Sequence, residues 1–276
     1  MSVSVLILTL NEEINIADCL ASVSWCDDVV VLDSFSSDAT VAMVERHGAR
    51  LVQRKFDDYA SQRNYGLGSI EYRHPWVLML DADERVPAAL RAEIEDAVDQ
   101  VEGDTSLFVV RRKDYLFGRW LRHSSGYPTW FGRLARVGQV RIDRPINERY
   151  LTDGKTAHLG GHLEHYPFNK GFSGWIAKHD RYSSMEAALL AEQRREAWRV
   201  IDLIARDDQC RRRAVKGLAY SLPARPLLMF LALYIVRGGV LEGRAGLTFC
   251  LLRAWYEFMI DCKYRELMLR RKGLPV

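Results

Sequence analysis

Several broad classes are disfavoured by what this 276-residue chain lacks. Its five cysteines (Cys19, Cys26, Cys210, Cys250 and Cys262) form no CxxC pair, which argues against a disulfide framework. Neither a GxGxxG nor a GxxxxGK[ST] turn follows an apolar run, so dehydrogenase and P-loop readings are poor. No apolar run reaches the ~20 residues that a membrane-spanning helix needs. The N-terminus reads directly as a strand with no basic region ahead of it, so no signal peptide is expected. Repeats and low-complexity segments are absent, and the basic residues come with no nucleic-acid recognition motif. The length leaves room for one α/β domain and a smaller helical appendage.

The N-terminal half alternates strand and helix patterns. Val3 to Thr9 is apolar and β-branched, a buried strand. Asn11-Glu12-Glu13 is predicted to open a helix, with Asn11 as its cap, and Ile14, Ala17, Leu20 and Ala21 recur at helical spacing. Asp28 to Leu32 is a second strand, and Ser37 or Asp38 is predicted to cap a second helix that Gly48 stops. Ala49 to Gln53 is a third strand, Tyr59 to Leu67 a third helix, and Trp76 to Leu80 a fourth strand. Strands separated by helices imply a mainly parallel sheet, and ligands of such sheets sit beyond the carboxyl ends of the strands. Three polar clusters should therefore share one rim: Thr9 to Glu12, Asp33-Ser34, and Asp81-Ala82-Asp83.

The last cluster is the most informative. An apolar strand ends abruptly in two carboxylates one residue apart, which strand alternation would point the same way. Like charges there need compensation, and a hard divalent cation, Mg²⁺ or Mn²⁺, bridging carboxylate and diphosphate would supply it. Asp33 directly follows a strand and precedes a hydroxyl-rich loop, so it suits hydrogen bonds from a base imide or a ribose. For Asn11, Ser37 and Asp38, simple helix capping competes with any ligand role.

Four ordered motifs make the pattern specific: Leu6-Ile7-Leu8-Thr9-Leu10-Asn11-Glu12-Glu13, then Val31-Leu32-Asp33-Ser34-Phe35-Ser36-Ser37-Asp38, then Gln62-Arg63-Asn64, then Leu80-Asp81-Ala82-Asp83-Glu84. Together they resemble glycosyltransferase family 2, inverting enzymes of the GT-A fold, and most closely the bacterial lipopolysaccharide core β-glucosyltransferases. The resemblance covers residues 1 to about 180 and, more loosely, the rest. It implies that Thr9, Asn11 and Glu12 line the nucleotide pocket, that Asp33 reads the uracil with Ser34 beside it, and that Arg63 approaches the nucleotide or diphosphate. It also implies that Asp81 lies near ribose and metal, and that Asp83 is the main metal ligand.

Inversion needs a general base for the acceptor hydroxyl. Where similar enzymes carry an Arg-Leu-Phe-Arg stretch followed by a His-Glu pair, this chain has Arg133-Leu134-Ala135-Arg136 and then Asn147-Glu148. The retained Glu148 is the candidate base and Asp143 the reserve. A surface Glu148 paired with Arg144 or Arg149 is the competing reading. His158, His162 and His165 invite a zinc reading, but no Cys lies close enough to complete a closed site. His165 matches a family position near the active site and suits metal, diphosphate or acceptor binding, with a hydrogen-bonded buried His as the alternative. Gly118 to His123 and Ser125 to Pro128 read as a loop over the site, with mobility as a lid expected.

The remainder differs in kind. Residues 1–169 carry 19 Lys and Arg against 25 Asp and Glu, whereas residues 170–276 carry 20 against 11. Basic runs (Arg194-Arg195, Arg211-Arg212-Arg213, Arg270-Arg271-Lys272) flank apolar stretches at Pro226 to Val236 and Ala245 to Leu252. Amphipathic helices on an anionic membrane surface fit this, as does a helical subdomain that packs on the catalytic domain or forms a dimer. The expectation is thus a GT-A catalytic domain over 1–170, with a nucleotide half to about 103 and an acceptor half over 104–170, and a helical, membrane-associating region over 171–276. The expected partners are a UDP-sugar, a lipid-linked glycan and the membrane surface, with no nucleic acid and with room for a homo-oligomer. The expected location is the cytoplasmic face of a bacterial inner membrane. Three functions compete: a metal-dependent hexosyltransferase, glucose being the expected sugar, acting on a lipid-linked glycan; the same fold acting on a polyprenyl phosphate; and a non-catalytic nucleotide-binding protein at the membrane surface.

Overall fold

Short apolar runs alternating with helices build a mixed sheet, seen in a computed structural model that describes residues 2–101, 103–143, 149–193 and 224–276. The strands are β1 (Val3–Thr9), β2 (Val29–Asp33), β3 (Arg50–Gln53), β4 (Trp76–Asp81), β5 (Glu84–Arg85), β6 (Thr105–Leu116), β7 (Arg119–Trp120), β8 (Trp130–Arg136) and β11 (Lys155–His165), in the order β3-β2-β1-β4-β8-β6-β11-β5 with β7 on β6. A separate hairpin joins β9 (Val140–Asp143) to β10 (Arg149–Thr152). β1 to β4 are parallel, whereas β8 is antiparallel to both β4 and β6.

Strand alternation covers both faces. Val5, Ile7, Leu78 and Leu80 pack toward α1 (Ile16–Ser22) and α4 (Ala88–Asp99), while Leu6, Val77 and Met79 pack toward α3 (Tyr59–Ser69). Each such fully buried side chain contributes about 1.5–3 kcal/mol. The helix α4 buries Leu90, Ile94 and Val98 at four-residue spacing, a signal that the sequence reading passed over.

Two capping expectations are corrected. Asn11 caps no helix: it has φ +53°, and α1 begins only at Ile16, after a turn over residues 13–15. The N-cap of α2 (Thr40–Arg46) is Ala39, although Asp38 Oδ1 accepts the Thr40 amide at 3.0 Å. By contrast, α3 has a side-chain cap at Asp58, which accepts from Ser61 N at 2.9 Å.

The chain divides into two compact units, residues 1–122 with 126–172, and residues 123–125 with 173–276. The second contains α5 (Gly171–Gln193) from its third residue, α6 (Arg225–Leu231) and α7 (Gly243–Arg271), with a π-helical turn and a 3-10 turn between the last two. Within it, α7 buries Cys250, Tyr256 and Ile260 and presents Leu247, Leu251 and Phe258 outward, so it is apolar on two sides rather than along one stripe. No single described helix is long and apolar enough to cross a membrane; Arg225–Val236 and Gly239–Arg271, bent by 71°, meet that test only together. The basic runs at 194–195 and 211–213 lie outside the described residues.

Candidate active site

The parallel register sets the three polar strand ends side by side: Thr9 is level with Asp33, and Leu8 with Asp81. Asn11 uses its left-handed backbone to bridge two loops, donating from its amide to Ser36 Oγ at 2.8 Å and accepting at Oδ1 from Ser37 N at 2.7 Å. Asp33 is fully buried, and its carboxylate accepts from Ser36 N at 2.9 Å, from Gln53 Nε2 at 3.0 Å and from Ser36 Oγ. These bonds tie its carboxylate to the loop that follows it and to β3. Ser34 Oγ accepts from Gln62 at 3.1 Å, and the buried Thr9 hydroxyl has no hydrogen-bond partner among the described residues.

The Gln62-Arg63-Asn64 motif sends each side chain to a different element. Gln62 reaches Ser34, Arg63 reaches Asp81, and Asn64 exchanges two hydrogen bonds with the Ile142 backbone in β9. Glu12 pairs with Lys170 at 2.6 Å. Burial first, and then the Asp83 charge, pushes the Glu12 pKa up.

The paired carboxylates part company, contrary to the alternation argument. β4 stops at Asp81, the chain turns at Ala82-Asp83, and Glu84 enters β5. Asp81 accepts from Arg63 Nη2 at 2.7 Å and from Arg133 Nη2 at 2.9 Å, so two guanidinium groups already meet its charge. Arg133, only 2 % exposed, also reaches the fully buried Glu84 at 2.8 Å. Burial opposes the Arg133 charge, but Glu84 and Asp81 outweigh it and raise its pKa. Arg112 links Glu84, at 3.5 Å, to Asp114, at 3.2 Å.

Asp83 faces His165 instead, with Oδ2 3.3 Å from Nε2. The other ring nitrogen, Nδ1, lies 2.6 Å from Asp114 Oδ1. A proton on Nδ1 directed at Asp114 leaves the Nε2 lone pair toward Asp83, which is how a second carboxylate orients a metal-ligating imidazole. Among the described residues no three His, Cys, Asp or Glu side chains are grouped to hold a metal. One oxygen and one nitrogen donor side by side still suit a Mg²⁺ or Mn²⁺ ion whose other ligands are diphosphate and water. The zinc reading fails on placement: His158 packs on Trp130 with ring centroids 4.7 Å apart, and only His165 joins the carboxylates.

A bulge sets up His165. The register between β11 and β6 shifts between His158 and His162, and the backbone amides of Gly160 and Gly161 both donate to Glu93 of α4, the second at 2.7 Å. Nothing in the sequence flags Glu93 for this. On β8, a Cβ at Gly132 would lie 2.8 Å from the Tyr150 ring, so glycine lets the β9–β10 hairpin close on the strand beside Arg133.

Glu148 lies outside the described residues. Asp143, the reserve base, sits at the end of β9 with Arg149 at 2.8 Å. In the expected lid, Arg119-Trp120 pairs with β6. Residues 123–125 belong to the helical unit, where the buried Glu242 carboxylate accepts from His123 N at 2.6 Å, from Ser124 N at 3.1 Å and from Ser124 Oγ. The centre of that loop is therefore anchored.

Residues 4–155 match Glycosyl transferase family 2. The chain belongs to this family. It is 27% identical over 275 residues to the lipopolysaccharide core biosynthesis glycosyltransferase LpsC of Rhizobium meliloti, covering 95% of this chain and 92% of that one. It is 37% identical to an uncharacterised glycosyltransferase of Rickettsia conorii, over 99% and 93% of the two chains. Among solved structures, a mannosyltransferase of Pyrobaculum calidifontis in complex with GDP-Man and Mn2+ superposes with a TM-score of 0.51 at 17% identity, over 95% and 86% of the chains. The fold is GT-A, and this family 2 glycosyltransferase is related to enzymes of lipopolysaccharide core biosynthesis.

Proposed function

We propose that this glycosyltransferase is an inverting hexosyltransferase that moves a sugar, glucose first among the candidates, from a UDP-sugar to a lipid-linked glycan such as the lipopolysaccharide inner core. The observation that carries the reading is the Asp83–His165 pair, oriented by Asp114 and set beside the matched Asp81–Arg63–Arg133 cluster at the carboxyl rim. Asp83 and His165 would hold the divalent cation, with Asp81 behind them near the ribose. When bound, that cation offsets diphosphate charge and makes the nucleoside diphosphate a better leaving group.

The chain's own residues divide the remaining work. Thr9, Asn11, Glu12 and Ser34 would line the nucleoside side, with Asp33 toward the uracil while it also holds Ser36 of the following loop. Arg63 stands toward the nucleotide while bound to Asp81. In the transfer, the acceptor oxygen bonds to the sugar's anomeric carbon as the bond from that carbon to the diphosphate oxygen breaks. Glu148 accepts the acceptor's proton, and the electron pair leaves with the diphosphate.

Membrane attachment through the helical unit is part of the same proposal. Leu227, Ile235, Val236, Leu241, Leu251 and Phe258 are each more than half exposed there, and Arg237 and Arg244 lie among them. Exposed apolar area beside basic residues suits the face of an anionic bilayer, and the cytoplasmic face is where nucleotide-sugars meet lipid-linked acceptors.

The test is release of UDP from UDP-glucose with Mn²⁺ or Mg²⁺, run beside GDP-mannose, on wild type and Asp83→Ala. Metal-dependent UDP release that Asp83→Ala abolishes supports the proposal. Turnover of GDP-mannose alone overturns the donor assignment, and binding without turnover under any acceptor overturns the enzymatic one. Activity that survives Glu148→Gln would shift the acceptor to a polyprenyl phosphate, whose oxygen needs no base.

A further inference from the structure

Three strand rungs along from His165 lies a surface that the donor chemistry does not use. In the β11–β6 register, His165 is level with Asp114, Glu164 with Lys113 and His162 with Arg111. At about 3.3 Å per residue, Arg111 is ~10 Å along the strand from Asp114. Arg111 lies over two rings, Tyr127 at 5.9 Å and Trp130 at 5.4 Å, and its Nε donates to Gly161 O at 3.3 Å. Trp120 meets Tyr127 edge-on at 5.1 Å and carries Lys113 over its ring at 4.4 Å and Arg122 at 5.8 Å. Trp130 is 40 % exposed. The result is two ring pairs, Trp120–Tyr127 and Trp130–His158, joined by Arg111 and flanked by Lys113 and Arg122.

The charge pattern separates this surface from the rim. At the rim Arg63, Arg112 and Arg133 each have a carboxylate partner. Among the described residues no carboxylate lies within ion-pair distance of Arg111, Lys113 or Arg122. Their field is felt locally: burial, then the Lys113 charge, pushes the His162 pKa down, and Arg111 adds to the effect. Flat rings stack on the apolar faces of sugars, and a guanidinium fixed by neighbouring rings is preorganised for a two-point contact with phosphate or carboxylate.

We propose that the Arg111–Trp130–Trp120 surface binds the acceptor, and that the acceptor is an oligosaccharide carrying anionic groups, phosphate or carboxylate, close to the transferred-to hydroxyl. This rests on the transferase reading and names its substrate class. The test uses the full chain and three probes: maltotriose, a monophosphorylated maltotriose, and trigalacturonic acid. Binding is followed by tryptophan fluorescence and by the indole N–H signals in NMR, with wild type, Arg111→Ala, Arg111→Lys and Trp130→Ala.

At least one anionic trisaccharide is expected to bind about tenfold or more tighter than maltotriose, a gap of about 1.4 kcal/mol. Arg111→Ala and Trp130→Ala should each weaken that binding about fivefold or more, Arg111→Lys less so, with the melting temperature and UDP release from UDP-glucose unchanged. Which anionic probe wins tells phosphate from carboxylate. Equal binding of neutral and charged probes, or full affinity in Arg111→Ala, overturns the proposal. So does a parallel loss of binding to phosphatidylglycerol vesicles in the same variants, which would assign the surface to lipid. Absence of UDP release in the wild type itself would instead strike the transferase reading, leaving the glycan-binding result to stand alone.

Discussion

His165 and His179 experience burial in opposite surroundings, and the contrast extends to the units that hold them. His165 is buried in the catalytic unit between Asp83 and Asp114. Burial disfavours its charge, but the two carboxylates carry its pKa above the ordinary value. His179, half-buried in the helical unit, stacks on Trp175 at 3.6 Å and meets Tyr256 edge-on at 5.2 Å, and burial pushes its pKa down to about 4. The catalytic unit buries charge in matched sets, Arg133 with Asp81 and Glu84 and His165 with Asp83 and Asp114. The helical unit buries rings, has a buried ion-pair set in which Arg225 meets Glu257 at 2.6 Å and Asp261 at 3.3 Å, and leaves apolar side chains outside. Exposed apolar area is what a lipid-facing element would need, whereas the paired buried charges of the first unit are what the proposed diphosphate site would need.

The sharpest way to break this contrast is at the cation pair. Asp83→Ala should lower metal-dependent UDP release at least about a hundredfold, since metal stabilisation of charge is worth several kcal/mol and each 1.36 kcal/mol is tenfold. Next comes Arg133→Met, which leaves Asp81 and Glu84 without their shared guanidinium. Urea unfolding should show a loss of about 3–5 kcal/mol, the usual cost of breaking a buried pair. Arg225→Met in the helical unit should lose a comparable amount while sparing UDP binding, which Arg133→Met should not.

A smaller effect tests the outer surface of the helical unit. Leu251→Asp with Phe258→Asp should cut partition onto anionic vesicles about tenfold or more, given ~1.5–3 kcal/mol per fully buried apolar side chain, with UDP release unchanged. Retained vesicle binding would move those residues to a protein partner.

The mildest effect is in pH. A raised histidine pKa adds stability that is complete below about 6.5 and disappears as pH rises through the folded-state value. The melting difference between metal-free wild type and His165→Gln should therefore be largest below about pH 6.5 and shrink as pH rises. For His179 the sign reverses: its lowered pKa means stability is present above about 6.5 and is lost as pH falls toward about 4. His179→Phe should flatten that acid limb.

Much of the first unit was legible because buried parallel strands are written as apolar runs and end in polar residues that the register then aligns. Thr9, Asp33 and Asp81 fall on one rim for that reason alone. The partners of those residues were not legible, because they come from distant chain. Arg133 reaches Asp81 across 52 positions, Asp114 reaches His165 across 51, and Glu242 holds Ser124 across 118. Asn11 misled because asparagine is favoured both as a helix cap and in the left-handed region, and only the loop contacts decide between them. The Asp81–Asp83 geometry misled because strand periodicity was carried two residues past the end of β4.

The central claim is that Asp83 and His165, oriented by Asp114, hold a divalent cation together with the donor diphosphate. The most direct test is Mn²⁺ titration followed by electron paramagnetic resonance, with and without UDP, on wild type, Asp83→Ala, His165→Ala and Asp114→Asn. Binding of Mn²⁺ that UDP strengthens, that either ligand variant weakens by about a hundredfold, and that Asp114→Asn weakens by about 10–100-fold, is the predicted result. Wild-type Mn²⁺ affinity retained in both Asp83→Ala and His165→Ala would contradict the account.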